Sequence, residues 1–409
     1  MKPMGSIPAD FGADRPLRIA GETAETWVAR AGDTPLFVYD LSIVAARIAR
    51  FRAAMPVGID LHYAIKANPY APMLAAMAPL VDGFDIASVG ELAMALRHKP
   101  APTISFAGPG KRDDALAAAI SAGITINVES LGEAIRALNF AERSGVTPRL
   151  AIRVNPDIEL RGSGMRMGGR ASPFGIDADQ AAAVARTVIT AGADWRGWHI
   201  FAGSQALDAG AIIETQAATL ELADRLSDAV GMQPPLVNLG GGFGIPYFPG
   251  EQPVDVEAIG AALGERLGER DRSGTRHAIE LGRWLVGEAG VYLTRIVDRK
   301  ISRGETFLLV DGGLHHQLAA TGNLGTVVRR NYPVAIASGA GGDIETVSVV
   351  GPLCTPLDRL ADRVSLPTAQ VGDLVAVFMA GAYGLTASPT AFLGHALPRE
   401  LLVGASTEP

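Results

Sequence analysis

The stretch Leu61-His62-Tyr63-Ala64-Ile65-Lys66-Ala67-Asn68-Pro69 predicts a β-strand that ends beside a lysine. Residues Ile59–Ile65 are rich in β-branched, aromatic and aliphatic side chains, and Asn68-Pro69 is a typical stop signal. Because its neighbours are apolar, Lys66 is expected to be partly desolvated, a state in which a neutral amine can condense with an aldehyde. The alternative for this residue taken alone is an ordinary solvated lysine.

A regular alternation of strands and helices follows from this stretch. The predicted strands are Ile59–Ile65, Gly83–Ala87, Thr103–Ala107, Ile124–Val128, Arg149–Val154, Trp195–Phe201, Leu236–Leu239 and His277–Leu281. The predicted helices are Ala71–Ala78, Gly90–Arg97, Asp113–Ala122, Ser130–Ser144, Asp177–Ala191, Ala211–Val230 and Asp255–Glu269. This pattern favours an α/β fold with a closed (β/α)8 barrel of the TIM type over an open sheet.

The alternation ends near Gly287. Strands are predicted at Val291–Val297, Thr306–Val310, Thr346–Val350 and Leu374–Phe378, separated by glycine- and proline-rich segments. We therefore predict an N-terminal tail and entry segment (1–34), a barrel (35–285) and a mainly β C-terminal domain (286–409). Residues 35–39 are expected to pair with the β domain, and the Gly, Pro and Asp of Met1–Pro16 suggest a loose tail.

Composition excludes several classes of function. Of the 409 residues 48% are hydrophobic, and the net charge is −7 without a basic run, so a nucleic-acid partner is not expected. No apolar run reaches the roughly 18 residues of a membrane span, and no signal-peptide core precedes the barrel. Cys354 is the only cysteine, which rules out an internal disulfide and favours a cytoplasmic location.

Polar residues gather where the predicted strands end, which is where barrel enzymes carry their active sites. Each has an ordinary alternative: Asp85 could cap a helix, Arg153 could pair with a carboxylate, and His199 could be a satisfied core histidine. Together on one rim they favour a site. The set comprises Lys66, Asp85, Ser88, Lys111, Glu129, Arg153, Asn155, His199, Ser204, Glu280 and Arg283.

The run Gly240-Gly241-Gly242-Phe243-Gly244 predicts an anion cradle, although a structural turn is an equally simple interpretation. Nucleotide-binding glycine motifs are absent from the sequence. An imine-forming lysine and a phosphate cradle on one rim indicate pyridoxal 5′-phosphate (PLP). Lys66 would hold the aldehyde, Glu280 would face the pyridine nitrogen, and His199 would stack on the ring.

The sequence resembles the fold-type III PLP-dependent decarboxylases of the ornithine and diaminopimelate decarboxylase family, whose fold is similar to alanine racemase. The resemblance extends from about Pro35 to Glu400. It rests on the motifs Tyr63-Ala64-Ile65-Lys66-Ala67-Asn68, Phe84-Asp85-Ile86-Ala87-Ser88, Arg153-Val154-Asn155-Pro156, Gly240–Gly244, Glu280-Leu281-Gly282-Arg283, Gly351-Pro352-Leu353-Cys354 and Gly381-Ala382-Tyr383-Gly384.

The resemblance implies roles for individual residues. Lys66 would form the Schiff base with PLP, and Cys354 would reach the site of a second subunit and help to protonate the product in a head-to-tail homodimer with shared sites. Arg283 would bind the phosphate side or a substrate carboxylate. The expected cofactor-binding residues are Lys66, Asp85, Arg153, His199, Ser204, Gly241, Gly242, Glu280, Gly282, Arg283 and Tyr383, and the expected substrate-binding residues are Arg283, Cys354, Thr355, Asp358 and His316.

Several positions depart from the family pattern. The acid that commonly follows the cysteine is Thr355 here, so a distal ammonium would have to be met by Asp358 instead. The segment from His199 to Ser204 is two residues longer than usual, and Phe392-Leu393-Gly394-His395 replaces an asparagine motif. These features resemble a subgroup from biosynthetic clusters, the butirosin-type glutamyl–carrier-protein decarboxylases and exopolysaccharide-associated decarboxylases.

The resulting hypothesis is α-decarboxylation of an amino acid whose distal end is capped or carried on an acyl carrier protein. The alternatives are meso-diaminopimelate decarboxylase, then an amino-acid racemase, which Glu280 argues against, and a PLP-binding protein without turnover. No metal is expected, because His315 and His316 would point to opposite faces of a strand, although one of them could line the substrate entrance.

Overall fold

The computed structural model describes residues 1–12, 15–158, 160–162, 164–166, 168–269, 274–321, 330–339 and 342–404. The strands are β1 (Arg18–Ile19), β2 (Glu22–Thr23), β3 (Leu36–Asp40), β4 (Ile59–Ala64), β5 (Gly83–Ile86), β6 (Ile104–Phe106), β7 (Thr125–Val128), β8 (Arg149–Asn155), β9 (Met165–Arg166), β10 (Ile176–Asp177), β11 (Asp194–Ile200), β12 (Gly203–Ser204), β13 (Leu236–Gly241), β14 (Arg276–Leu281), β15 (Gly290–Ser302), β16 (Glu305–Val310), β17 (Val334–Ile336), β18 (Ile344–Val350), β19 (Arg359–Pro367), β20 (Leu374–Val377) and β21 (Arg399–Val403).

Most of the helices connect barrel strands. They are α1 (Ala24–Ala31), α2 (Leu41–Ala54), α3 (Ala71–Met77), α4 (Val89–Ala95), α5 (Asp113–Ala122), α6 (Leu131–Ser144), α7 (Ala178–Thr190), α8 (Ala209–Val230), α9 (Val256–Gly268) and α10 (Arg283–Val286). The motifs Ser88-x-x-Glu91 and Ser130-x-x-Glu133 predict helix starts, and both are confirmed: the Ser88 hydroxyl accepts from Glu91 N, and the Ser130 hydroxyl accepts from Glu133 N. Such caps satisfy amide groups that have no partner within the helix.

The described residues divide into two compact units. The barrel unit is Ile48–Gly244 and Pro253–Gly282, and the sheet unit is Met1–Arg47, Ile245–Gln252 and Arg283–Pro409. The domain boundaries predicted from the sequence stay a prediction.

In the barrel unit, the parallel strands β4, β5, β6, β7, β8, β11, β13 and β14 follow one another around a closed sheet. Closure comes from the pairing of β14 with β4, and the β7–β8 pair joins the two halves. The predicted (β/α)8 barrel is therefore confirmed, and each strand begins and ends within about two residues of its predicted bounds. The strands are buried on both faces, which is why they read as nearly continuous apolar runs.

In the sheet unit, a mainly antiparallel sheet has the order β17-β20-β15-β16-β18-β19, and β3 pairs with both β15 and β21. Sequence analysis missed β17, β19 and β21. The pairing of β18 with β19 shifts register at Val349, so β19 buries three residues in a row, 360–362, and loses the alternation expected of a strand.

The first residues of the chain are tied to the sheet unit, so the expectation of a loose tail is wrong for them. Lys2 N donates to Arg363 O at 2.7 Å, and the Lys2 ammonium lies 2.6 Å from Asp362. Gly5 N donates to Asn331 O at 3.1 Å. Of the predicted tail, residues 13 and 14 lie outside the described residues.

Within the described ranges, no helix has both the length and the apolar character needed to cross a bilayer. In the same residues, no cluster of three or more His, Cys, Asp or Glu side chains has an arrangement that could hold a metal ion.

Candidate active site

Lys66 lies just past the carboxyl end of β4, in a 3-10 turn that spans Ile65–Ala67. The Tyr63 hydroxyl donates to Asn68 O at 2.9 Å, which fixes the chain on either side of the lysine. Ile65 and Ala67 are buried, but the Lys66 side chain is exposed. The expected desolvation is therefore wrong for this structure, because the turn buries the neighbours of Lys66 but leaves its own side chain accessible to solvent.

Glu280 and His199 meet inside the barrel. The Nε2 atom of His199 lies 3.2 Å from the Oε2 atom of Glu280, and Asn238 Nδ2 donates to the same oxygen at 3.4 Å. Burial alone would raise the pKa of Glu280, but the charges of His199, Lys66 and Arg153 lower it to about 2. Glu280 is therefore an ionised carboxylate at neutral pH.

Asp85 lies on the neighbouring strand β5 and is paired with a histidine that sequence analysis did not select. Its Oδ1 atom is 3.4 Å from Nδ1 of His62, on β4. Its Oδ2 atom is buried and has no hydrogen-bond partner among the described residues. Burial and the nearby charge of Glu280 raise the pKa of Asp85, and His62 opposes this shift.

Arg153 forms a buried ion pair with Glu129 at 2.7 Å. Glu129 also accepts from Gly108 N at 2.5 Å and from Gly175 N at 3.1 Å. Burial would raise the pKa of Glu129, but Arg153 and Lys111 lower it. The pair links the loops after β6 and β8 to the end of β7, which matches the structural alternative considered for Arg153.

The triple glycine at the end of β13 forms a tight backbone junction. A Cβ atom at Gly241 would lie 1.8 Å from Glu280 O, and one at Gly242 would lie 2.0 Å from Gly203 O. Gly242 also has φ +79°, a conformation that favours glycine. Ala206 N donates to Gly242 O at 3.0 Å, so the segment that carries Ser204 lies directly against this turn.

Gly282 follows Glu280 at the end of β14. A Cβ atom there would lie 2.9 Å from the Cβ atom of Ala67 and 3.2 Å from Ala64 O. The glycine therefore lets the ends of β14 and β4 approach each other, which sets the position of the turn that carries Lys66.

In the sheet unit, Arg283 and Tyr383 are in contact, as expected of two residues of one site. The Arg283 guanidinium lies 4.6 Å above the Tyr383 ring and donates to the Tyr247 hydroxyl at 2.7 Å. Burial would lower the pKa of Arg283, but the two tyrosines raise it. Sequence analysis did not select Tyr247. Its position three residues after the glycine run Gly240–Gly244 is the one signal that could have identified it.

The segment around Cys354 is shaped by Asp358. Cys354 is exposed, whereas Asp358 is buried and accepts from Leu314 N at 2.6 Å and from Leu353 N at 2.9 Å. The Thr355 hydroxyl accepts from Leu357 N at 3.3 Å. Both carboxylate oxygens of Asp358 thus hold backbone amides of the sheet unit.

His315 and His316 lie in a turn rather than a strand, and their rings are only 3.8 Å apart. The expectation that they point to opposite faces is therefore wrong. His316 contacts the Tyr292 hydroxyl and Ala396 O, each at 3.0 Å, and the His315 ring lies 4.9 Å from His395. Burial, with neighbouring histidines, lowers the pKa of His315 and of His316 to about 4, so both rings are neutral at pH 7.

The barrel residues fit the predicted cofactor. The Nδ1 atom of His199 and the Oδ2 atom of Asp85 are buried without a hydrogen-bond partner among the described residues, which leaves polar groups for a bound molecule to satisfy. Gly241 and Gly242 leave no room for a side chain where the turn packs against the backbone of Glu280 and Gly203. An ionised carboxylate to accept from the ring nitrogen, an imidazole to pack on the ring and an exposed amine to bind the aldehyde match the groups of a pyridine aldehyde.

Comparison with known proteins gives the same result. Residues 41–287 match the family described as pyridoxal-dependent decarboxylase, pyridoxal binding domain. The chain is 37% identical, over 90% of its length and 89% of the relative, to an L-glutamyl-[BtrI acyl-carrier protein] decarboxylase of Niallia circulans. It is 28% identical, over 96% of its length and all of the relative, to the 2-[(L-alanin-3-ylcarbamoyl)methyl]-2-hydroxybutanedioate decarboxylase of Staphylococcus aureus.

Among solved structures, the diaminopimelate decarboxylase of M. jannaschii is similar with a TM-score of 0.86 and 26% identity, over 98% of this chain and 92% of that one. The family match covers more than half of the chain, and the relatives match almost all of it. The chain therefore belongs to the pyridoxal-dependent decarboxylases, and it is an amino-acid decarboxylase with pyridoxal phosphate as its cofactor.

Proposed function

We propose that this decarboxylase acts on an amino acid whose distal end is capped or tethered, with a glutamyl group on an acyl carrier protein as the leading substrate. The observation that carries the proposal is that Asp358, the acid nearest to Cys354 in the sequence, is buried and bonded to backbone. Thr355 occupies the position at which an acid would bind a distal ammonium group of the substrate. Asp358, the other candidate acid, is already bonded to two backbone amides.

The surroundings of this segment support a substrate without a distal charge. His315 and His316 are buried and neutral at pH 7, and their neighbour His395 is exposed. Neutral imidazoles bind amide or thioester groups without the desolvation cost of an ion pair. Two relatives support the same class, since one acts on a carrier-bound glutamyl group and the other on an amino acid capped at its side chain.

The residues of the barrel unit have distinct roles in this proposal. When bound, the cofactor supplies an electron sink for the bond that breaks at the α-carbon. Lys66 offers the amine that holds the aldehyde, Glu280 keeps a negative charge toward the ring nitrogen, and His199 packs on the ring. Backbone groups of Gly241, Gly242 and Gly282 with Ser204 bind the phosphate, and Asp85 and Arg153 hold the charged surroundings in place.

Residues of the sheet unit complete the proposed set. Arg283, oriented by Tyr247 and Tyr383, binds the phosphate or a substrate carboxylate. Cys354 belongs to the site of a second subunit, where its thiol delivers the proton that replaces the departing carboxyl group. Thr355 contacts the distal end of the substrate, and His316, whose two ring nitrogens already bond Tyr292 and Ala396, contributes only apolar packing there. This proposal requires a homodimer with shared sites. The cytoplasmic location expected from the sequence stays a prediction.

Assays of CO2 release test the substrate. We expect turnover of a glutamyl-loaded acyl carrier protein and little with free glutamate, diaminopimelate, ornithine, lysine or arginine. Rapid turnover of free diaminopimelate would reject the tethering proposal and leave decarboxylation intact. Thr355→Asp should raise activity on free amino acids with a distal ammonium, while the matched control Thr355→Ser should not.

A mixing experiment tests the shared site. Lys66→Ala and Cys354→Ala should each be inactive or strongly impaired, but their mixture should regain up to about a quarter of the wild-type sites if subunits exchange. Failure of any mixture to exceed its parents, with exchange shown by mass measurement, would place both residues in one subunit.

A second candidate is meso-diaminopimelate decarboxylase, favoured by the structural similarity to the M. jannaschii enzyme. Arg283 would then bind the distal carboxylate. Complementation of a lysine auxotroph separates this candidate from the first, because a carrier-dependent enzyme would not restore growth.

A further inference from the structure

The barrel unit contains a cavity of about 270 Å³ at the end opposite to Lys66. Its rim consists of residues at or near the starts of barrel strands, which are Asp60, Ile104, Thr125, Leu236 and Arg276. Deeper in the barrel it is lined by His62, Asn127, Ala151 and Asn238. A cavity of this size and polarity holds several water molecules, since each occupies about 30 Å³ in the liquid.

His62 lies between this cavity and the carboxylates of the active site. Its ring lines the cavity, and its Nδ1 atom is 3.4 Å from Asp85 Oδ1. Asp85 itself is not part of the cavity wall, and its second oxygen is buried without a partner among the described residues. Gly83 makes room for the imidazole, because a Cβ atom there would lie 2.8 Å from His62 Nε2.

The charges around His62 are mostly negative. The groups that act on it are the carboxylates of Asp60, Asp82, Asp85 and Glu280, and two arginines, Arg276 on β14 and Arg196 on β11, line the same cavity. Asp60 is paired with Arg276 at 2.6 Å, and Asp82 is paired with Arg52 at 2.7 Å.

The arginines therefore balance the negative charges of Asp60 and Asp82. Asp85 and Glu280 are the two carboxylates near His62 that have no arginine partner of this kind among the described residues. Burial alone would lower the pKa of His62, but Asp85, Asp60 and Glu280 raise it above 6.5. Keeping two neighbouring buried carboxylates ionised costs free energy through desolvation and mutual repulsion, unless a cation lies beside them. Glu280 has His199 beside it, and Asp85 has His62.

We infer that His62, reached by solvent through this cavity, supplies the positive charge that keeps Asp85 ionised next to Glu280, and thereby sets the electrostatic environment of the cofactor from the opposite end of the barrel. His62 is a positioning residue in this scheme, because it acts through Asp85 and does not touch the substrate. No sequence motif distinguishes this histidine, which lies within β4.

The experiment follows hydrogen–deuterium exchange at the C2 position of each histidine by mass spectrometry, using the PLP-loaded enzyme without substrate. The exchange rate reports both titration and solvent access. His62 should exchange readily and titrate above pH 6.5, the ordinary value for histidine. Filling the cavity with Ala151→Leu should slow the exchange of His62 about tenfold and leave His98, in the loop after α4, unchanged. Equal exchange of His62 in both proteins would overturn the solvent route.

The absorbance spectrum of bound PLP, recorded against pH, tests the electrostatic part. His62→Gln should move the midpoint of the spectral change relative to the wild type, and the control His98→Gln should not. Identical pH profiles of the wild type and His62→Gln would reject the electrostatic role of His62 and leave it only a role in packing. Because Gln is smaller and polar, this variant should fold where His62→Phe does not, and circular dichroism checks it. Neither measurement depends on the identity of the amino acid that is decarboxylated.

Discussion

The Nε2 atom of His199 lies 3.2 Å from Oε2 of Glu280 inside the barrel, and both side chains are buried. Burial raises the pKa of Glu280, but His199, Lys66 and Arg153 lower it by more, so that it falls from 4.5 to about 2. A group with a lowered folded pKa contributes stability that is complete above its unfolded pKa and is lost as pH falls through the folded one. Glu280 therefore contributes above pH 4.5 and stops contributing near pH 2.

Glu280→Gln should remove this pH dependence and reduce CO2 release by about 10²-fold or more, the size typical of a positioned charged group in catalysis. Urea unfolding between pH 2.5 and pH 6 measures the stability, with exposed Glu221→Gln as the control. An acid unfolding profile of Glu280→Gln identical to that of the wild type would contradict the ionised buried carboxylate.

Lys66→Ala should abolish retention of PLP and decarboxylation without destabilising the protein. Because the Lys66 side chain is exposed, we expect its removal to change the free energy of unfolding by less than about 0.5 kcal/mol. Visible absorbance after desalting and thermal unfolding of the cofactor-free proteins provide the two measurements. The exposed Lys300→Ala serves as the control, and a variant at position 66 that still retained coloured cofactor would contradict the assignment.

Gly242→Ala should be far more destabilising than Gly250→Ala. Both glycines have positive φ, at +79° and +82°, so either alanine costs about 1–2 kcal/mol in backbone conformation. Only at position 242 would the new Cβ also lie 2.0 Å from a carbonyl oxygen, that of Gly203. Denaturant unfolding and PLP affinity measure the difference, and equal costs at the two positions would show that the turn can shift to accept a side chain.

Arg283→Lys should weaken PLP binding by about tenfold, or about 1.4 kcal/mol, because lysine cannot both stack on Tyr383 and donate to Tyr247. Tyr247→Phe is the matched control, since it keeps the ring and removes only the hydroxyl acceptor at 2.7 Å, at a cost of about 1 kcal/mol. Fluorescence titration of the cofactor-free proteins measures both. A smaller effect of Arg283→Lys than of Tyr247→Phe would reject the proposed orienting role of the stacked guanidinium.

Much of the barrel could be predicted because its signals are local. The apolar strands, the serine caps at Ser88 and Ser130, and the glycines at 240–242 each report the conformation of their own neighbourhood. The residues at the carboxyl ends of the strands could be predicted to share one site, because the parallel strands of a closed barrel end on the same side. The strand β19 was missed because its bulge is imposed by pairing with β18 and not by its own periodicity.

The sequence by itself determined the alternation of strands and helices, the lysine after the first barrel strand and the family to which the chain is similar. Only the tertiary structure decided that Lys66 is exposed, that Asp358 is bonded to Leu314 and Leu353, and that His62 connects a cavity to Asp85. Burial and hydrogen-bond partners depend on residues far apart in the chain, such as positions 314 and 358, and no local pattern encodes which of them will meet.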